Sequence, residues 1–305
     1  MLLYARQIIV QALFVMVGVS IVVFLLQVIA GDPVALYLPV DATEMEREAM
    51  RQSLGYDDPL VVQYGHFVTR LLQGDFGDSL LHGKPALSVV LERLPATGEL
   101  TFWAFLLPLI ISVPMGVYAA NRQGTLLDRV IMSLSILGQS IPVYWLGTVL
   151  ILIFSVRLGW LPTGGRGEWQ QLILPVGALS LYSVARITRM VRVGMLNVLK
   201  QDYVRTARSK GITERATIYR HALRNALLPT ITLIGLDLGT LLGGAVLTET
   251  IFSWPGLGRL GMQSILYRDY PVVQTLVFLI AITYVVINTS LDLIYGMLDP
   301  RIRRS

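Results

Sequence analysis

Six long apolar runs constrain this chain more than any other feature of its sequence. Ile8–Ala30, Leu100–Ala120, Val130–Val156 and Trp169–Ala185 contain no charged residue; Asn225–Thr248 contains only Asp237, and Tyr270–Leu291 stops just before Asp292. About 20 helical residues cross a hydrocarbon core of about 30 Å. Lipid offers no hydrogen bonds, so each run must satisfy its own backbone as a helix. The expected fold is therefore all-α and polytopic, one transmembrane domain over residues 1–305. With 54% hydrophobic and 15% charged residues, 305 residues carry more apolar surface than a soluble domain can hide.

The first run is too long for the apolar core of a signal peptide and is expected to be retained. The second tolerates Pro108 and Pro114 if neighbouring groups re-satisfy its backbone. The third is long enough to tilt. The fourth is short but can extend through Arg186, Arg189 and Arg192, whose side chains are expected to snorkel to the interface. The spans are thus placed near 8–30, 100–120, 130–156, 169–192, 225–248 and 270–291.

Charge orients them. The N-terminus, 121–129, 186–224 and the C-terminal tail hold 16 of the 25 Lys and Arg, ten of them in 186–224. Segment 31–97 has ten acidic and five basic residues. The positive-inside rule puts both termini and the 186–224 cluster in the cytosol, and 31–97 outside. This external insert is too long for a simple connector. Thr43 and Glu46 have capping-box spacing, with Gly55 beyond the helix end, and Leu60–Leu72 reads as a second helix. The insert reads either as a cap over the outer mouth or as a docking surface for a delivery protein.

The cytosolic segment 196–224 reads as helix, tight turn, helix. Gly211 can take the left-handed conformation that ends one helix, and Thr213 can cap the next. Beyond Thr213 an apolar stripe is expected at Ala216, Tyr219, Leu223 and Leu227, with Arg215, Arg220, His221 and Arg224 off it. Basic helices of this kind bind lipid headgroups, nucleic acid or a partner protein. The Gly211–Thr213 break and the second amphipathic helix favour a partner protein over lipid, and no nucleic acid is expected.

Several chemistries are disfavoured. Gly83-Lys84 precedes Pro85 and lacks the glycine spacing of a phosphate loop, so the chain is not expected to be an enzyme or to bind ATP itself. With no Cys and only the scattered His66, His82 and His221, no metal site is expected. Gly138-Gln139-Ser140 has no histidine in a span to activate its serine, and a polar kink beside Pro142 is the better reading.

Within the fifth run, Gly235, Gly239 and Gly243 form a small-residue stripe suited to close helix packing. Asp237 falls on the opposite face, in line with Thr240 and Thr248. A carboxylate in a span is costly and points either to a transport path, with Asp237, Thr240 and Thr248 as lining, or to a buried pair with a basic residue. After this run, Pro255, Gly256, Gly258 and Gly261 argue against a long helix, while Phe252, Trp254 and Leu257 need apolar cover. A folded-back loop, with Phe252, Trp254, Pro255 and Gly256 as a candidate external gate, fits both demands.

Taken in order, Gly31-Asp32-Pro33, Leu54-Gly55-Tyr56-Asp57-Asp58-Pro59-Leu60, Gly74-Asp75-Phe76-Gly77 and Leu158-Gly159-Trp160-Leu161-Pro162 carry a resemblance. So do Asp202–Gly211, Phe252–Gly258, Arg268-Asp269-Tyr270-Pro271 and Leu298-Asp299-Pro300-Arg301. Over nearly its whole length the chain resembles the permease subunits of bacterial ABC importers for dipeptides, oligopeptides, glutathione and nickel chelates. Its long external insert resembles the B-type subunit. The resemblance implies a bacterial inner-membrane location, a second homologous permease, two cytosolic ATPases that bind the ATP and Mg, and an external substrate-binding protein. It also implies that Arg205, Thr206, Ala207, Arg208, Lys210, Gly211, Thr213 and Glu214 belong to the segment that docks in a groove of the ATPase. Here the pattern departs from many importers, which have glutamate where Arg205 stands. Short peptides are favoured over nickel chelates. A free-standing secondary transporter is the rival class, although the repeated halves usual there are not visible.

Overall fold

In the computed structural model the structure describes residues 2–29, 38, 42–53 and 55–298. Gly31-Asp32-Pro33, Leu54 and Asp299-Pro300-Arg301 lie outside the described residues. Among the described residues there is no β-strand, only an isolated bridge between Asp78 and Pro85. Two compact units are present: residues 1–94 with 260–305, and residues 95–259.

The first unit begins with α1 (Leu2–Ile29), followed by α2 (Glu44–Ser53) and α3 (Leu60–Leu72). The start of α2 is the expected capping box. The Thr43 amide donates to Glu46 Oε2 at 2.8 Å, and the Glu46 amide donates back to Thr43 Oγ1 at 3.4 Å. The Thr43 amide and hydroxyl, both donating to Glu46 Oε2, hold the Glu46 carboxyl below its ordinary range. Gly55 takes φ +70°, as the turn after the helix requires. α3 lies on α1: Phe67, Val23 and Phe24 are buried together, with Tyr64, Val68 and Leu71 around them. The unit's last helix, α12 (Tyr270–Leu298), packs along α1 and adds Val277 to that cluster.

α4 (Ala86–Asn121) starts well before the expected Leu100, carrying Pro95, Pro108 and Pro114 within one continuous helix. Glu92, Arg93 and Glu99 hid this extension, because a helix can leave the apolar layer without ending. The expected third span differs more. α5 (Leu126–Ser140) and α6 (Val143–Leu150), the latter continuing through a π-helical Ile151–Arg157, meet at a bend of 103°. Ile141 is extended and Pro142 has no N–H to donate, so the helical hydrogen-bond ladder stops there. The stretch is therefore broken at the kink expected beside Pro142, more sharply than a single tilted span allows.

α7 (Gln170–Leu199) is the hub of the second unit, packing against α5, α6 and α10 (Leu228–Ile251). By length and composition α4, α7 and the 270–290 part of α12 can each cross a membrane, and the bent α5–α6 pair makes up to a fourth. α1 contributes a shorter apolar stretch, Ala12–Leu26, among the described residues.

Candidate functional site

The basic segment folds as the sequence expects. α8 (Asp202–Ser209) ends at Gly211, whose φ of +73° is one that L side chains rarely adopt. Thr213 Oγ1 then caps the next helix by accepting from the Ala216 amide at 3.4 Å. That helix, α9, runs as Glu214–Ala216, a π-helical Thr217–Ala222 and Leu223–Ala226. Across the turn, Arg208 donates to both Glu214 oxygens at 3.1 and 2.7 Å, a bidentate geometry. The guanidinium holds the Glu214 carboxyl below its ordinary range. At the open end of the hairpin, Asn225 Nδ2 donates to Tyr203 Oη at 2.8 Å.

One face of this hairpin is fixed to the membrane helices. Val204, Ile218, Ala222 and Ala226 are buried in one cluster with Ile187, Val191 and Met195 of α7 and Val117 and Ala120 of α4. Burying a side chain the size of Val204 or Ile218 contributes about 2 kcal/mol each. The expected stripe holds in part: Leu223 and Leu227 pack against the cluster, whereas Tyr219 is exposed and Thr217, Ile218, Ala222 and Ala226 are the buried residues. Ile218, Ala222 and Ala226 recur at four-residue spacing and so share one face of the helix. Gly194 seats the contact, since a Cβ there would lie 2.6 Å from the Ala226 carbonyl oxygen. Of the sequence-chosen coupling residues, Ala207 is buried. Arg205, Thr206, Arg208, Lys210, Gly211, Thr213 and Glu214 are exposed.

Two ion pairs join the helices beneath. Arg186 donates to Asp237 Oδ1 at 2.6 Å, and Asp237 is 1% exposed; Ser183 also hydrogen-bonds this carboxylate. Arg192 donates to both oxygens of buried Asp128 at 2.6 and 2.8 Å, and the Gly124 amide adds a third bond at 2.9 Å. Arg186 and Arg192 thus turn inward to carboxylates, contrary to the snorkelling expected of them; Arg189 is exposed. The physical reason is the high cost of an unpaired buried carboxylate, which each arginine relieves. Thr248 is fully buried, with its Oγ1 donating to the Gly244 carbonyl at 3.1 Å, and the Thr240 side chain lies outside the described residues. On the glycine stripe, Gly235 is buried, Gly239 half-buried and Gly243 exposed, with no atom of this chain within 4 Å of where a Cβ would stand.

After α10 the chain folds back around a carboxylate that the sequence reading passed over. Glu249 is fully buried and accepts from Thr97 Oγ1 at 2.6 Å, from the Arg259 amide at 3.0 Å and from the Gly258 amide. Thr97 Oγ1 in turn accepts from the Leu257 amide at 2.7 Å. A side chain on Gly256 would collide with the Glu249 carboxylate, and one on Gly258 with Val246. Phe252 and Trp254 are each 1% exposed; Trp254 Nε1 donates to the Ala96 carbonyl at 2.8 Å. The candidate gate residues therefore have the apolar cover they need, as part of the packed interior. Leu257–Leu266 forms a helix, α11, despite Gly258 and Gly261. The amides of Gly258 and Arg259 in its first turn are satisfied by Glu249, which offsets the weak propensity of glycine. The only sequence signal was a glutamate directly after an apolar run and before a glycine-rich loop.

In the other unit, the Arg268-Asp269-Tyr270-Pro271 and Gly74–Gly77 motifs belong to one structure. Fully buried Asp269 accepts from Ser79 Oγ at 2.5 Å and from the Leu80 and Leu81 amides at 3.3 Å, and Phe76 meets the edge of Phe278.

Residues 112–304 match the family described as binding-protein-dependent transport system inner membrane component, and residues 1–101 match its N-terminal companion family. The chain is 39% identical to the dipeptide transport system permease protein DppB of Alkalihalophilus pseudofirmus, covering 99% of this chain and all of that one. It is 40% identical to the glutathione transport system permease protein GsiC of Escherichia coli, over 93% of this chain and 94% of that one. The oligopeptide transport system permease protein AppB of Bacillus subtilis is also 40% identical, over 94% and 95%. Among solved structures, an inward-facing methionine ABC transporter, MetNI, matches with a TM-score of 0.58 and 23% identity. It covers 69% of this chain and 96% of that one, a likeness of fold.

Proposed function

Because the chain belongs to the family of binding-protein-dependent transport system inner membrane components, we propose that it forms half of the membrane path of an ATP-driven importer for short peptides, whether di- or oligopeptides or glutathione. It is a multi-pass protein of the bacterial inner membrane. The proposed topology has six spans, with both termini and the 202–226 hairpin in the cytosol and the 31–97 insert outside. The working assembly adds a second permease, two ATPases that bind the ATP and Mg, and an external binding protein. This chain performs no chemistry and holds no cofactor of its own.

The observation that carries this reading is the hairpin itself. It is closed at the turn by Arg208–Glu214, closed at the open end by Tyr203–Asn225, and packed through Val204, Ile218 and Ala222 onto α7. A partner that pushes the exposed Arg205, Lys210 and Tyr219 face moves a rigid body, and α7 must follow. The Arg192–Asp128 and Arg186–Asp237 pairs then extend the same connection from α7 to α5 and α10. Asp237 remains the candidate path residue, with Thr240 and Thr248 on its helix. A peptide ammonium reaching it competes with Arg186 for the carboxylate. Phe252, Trp254, Pro255 and Gly256 remain the candidate external gate.

Purification in mild detergent from cells expressing the neighbouring transport genes tests the class. An importer permease carries stoichiometric ATPases with it, and a secondary transporter carries none. Uptake of labelled dipeptide, glutathione and nickel chelate by the same reconstituted assembly tests the substrate, and uptake of nickel chelate alone would overturn the peptide reading.

A further inference from the structure

We propose that α3 is a membrane-embedded interfacial helix whose outward face contacts lipid, and so is neither a cap over the mouth nor a docking surface for a soluble protein. That it meets the outer leaflet rests on the topology proposed above; that it meets lipid does not.

Two depth markers within one compact unit agree. Phe67 of α3 packs against Val23 and Phe24 of α1, which lie about 8 Å before the end of that helix at about 1.5 Å per residue. The same cluster includes Val277, about 10 Å inside α12 counted from Tyr270. Tyr64 Oη reaches deeper still, 2.8 Å from Ser20 Oγ. The α3 helix therefore lies alongside the spans, below their external ends, at the depth of about 5–10 Å where interfacial helices reside.

Its chemistry fits that depth. The face turned away from α1 presents Val61 and Leu72, each 82% exposed, and Leu60 at 53%, together with uncharged Gly65 and Thr69. In water such a face would be an exposed apolar strip with no cover. His66, Arg70 and Gln73 occupy one flank, where polar tips can reach the headgroups. The α1 helix on which α3 rests leaves Phe14, Val22 and Leu26 exposed, so the lipid-facing surface of the span continues onto α3. By contrast α2, only a turn away in sequence, exposes Glu44, Glu46 and Glu48 and has the composition of a helix in water.

The absence of native cysteine makes the test direct. Val61→Cys, Leu72→Cys and, for comparison, Glu48→Cys are spin-labelled singly in the complete importer. Each is reconstituted in phosphatidylethanolamine–phosphatidylglycerol vesicles and probed with oxygen and with a water-soluble nickel chelate. Oxygen collisions should exceed nickel collisions roughly threefold or more at 61 and 72, as for sites below the headgroups, with the order reversed at 48. Nickel access equal to oxygen at 61 and 72 would overturn the proposal in favour of water, and exclusion of both reagents would overturn it in favour of a covering protein. Cytosolic labelling of Ser53→Cys would instead refute the topology and leave the lipid contact standing.

Discussion

Gly194 is where the coupling argument can be tested most sharply. A methyl group there would stand 2.6 Å from the Ala226 carbonyl oxygen, where ordinary contact begins at about 3.4 Å. The end of α9 and the flank of α7 would have to part by about 0.8 Å, and both sides of that contact are backbone. Overpacking of this kind costs about 1–3 kcal/mol, while Gly→Ala in a helix interior returns about 1 kcal/mol. The net is a penalty near 1 kcal/mol, roughly a fivefold fall in the ratio of seated to unseated hairpin. Gly177, on the same helix, has no atom within 4 Å of its would-be Cβ and supplies the control. In proteoliposomes with the ATPases and the binding protein, Gly194→Ala should lower substrate-stimulated ATP hydrolysis several-fold, with ATPase association weakened and insertion unchanged. Gly177→Ala should match or slightly exceed the parent. Equal coupling in the two variants, whether both normal or both impaired, would refute the idea that this seat carries the motion.

Other expectations concern charge, topology and the turn. Arg186→Gln should leave the buried Asp237 carboxylate without its counter-charge, at a cost of about 3–5 kcal/mol, and Asp237→Asn, which strands the half-buried Arg186, should cost less; each should lower the yield of assembled protein. The double variant should recover much of it, and a double-mutant cycle with no coupling would remove the pair from the account. Where the double variant assembles, slower uptake of free-amine peptides than of N-acetylated ones tests Asp237 as a path residue. Impermeant labels should reach cysteines at Ser53, Arg166 and Gln263 only from outside, and at Gly124, Ser209 and Ser305 only from the cytosol; cytosolic access at Ser53 overturns the six-span topology. Gly211→Val should disturb the left-handed turn at φ +73° and abolish stimulated ATP hydrolysis, and full transport in that variant would exclude the hairpin from the mechanism.

What could be read in the sequence was local. Thr43 and Glu46, the bounds of Leu60–Leu72, and the Gly211–Thr213 break each depend on residues within one helical turn of each other. Partners far apart in the chain left no such trace. A basic partner for Asp237 was expected as one alternative but not identifiable, because Arg186 lies 51 residues away, and Glu249 drew no expectation, because Thr97 lies 152 residues away. Pro142 marked the break between α5 and α6, but its 103° angle is set by packing against α7, which periodicity does not encode. The need for glycine at 194 and 256 arises from what approaches them; their own backbone torsions do not demand it.

The unit built from both ends of the chain has a consequence for biosynthesis. The partners of α1 and α3 in their shared cluster include Val277, some 250 residues downstream of Val23. At about 5–20 residues per second, the ribosome needs roughly 10–50 s to supply it after α1 emerges. During that interval residues 95–259 can assemble among themselves, whereas α1 waits in the bilayer for the helix it packs along. A nascent chain stalled before Leu260 would then present α1 to membrane proteases and insertases as an orphan helix. Release of the last helix is the step that retires it from quality control.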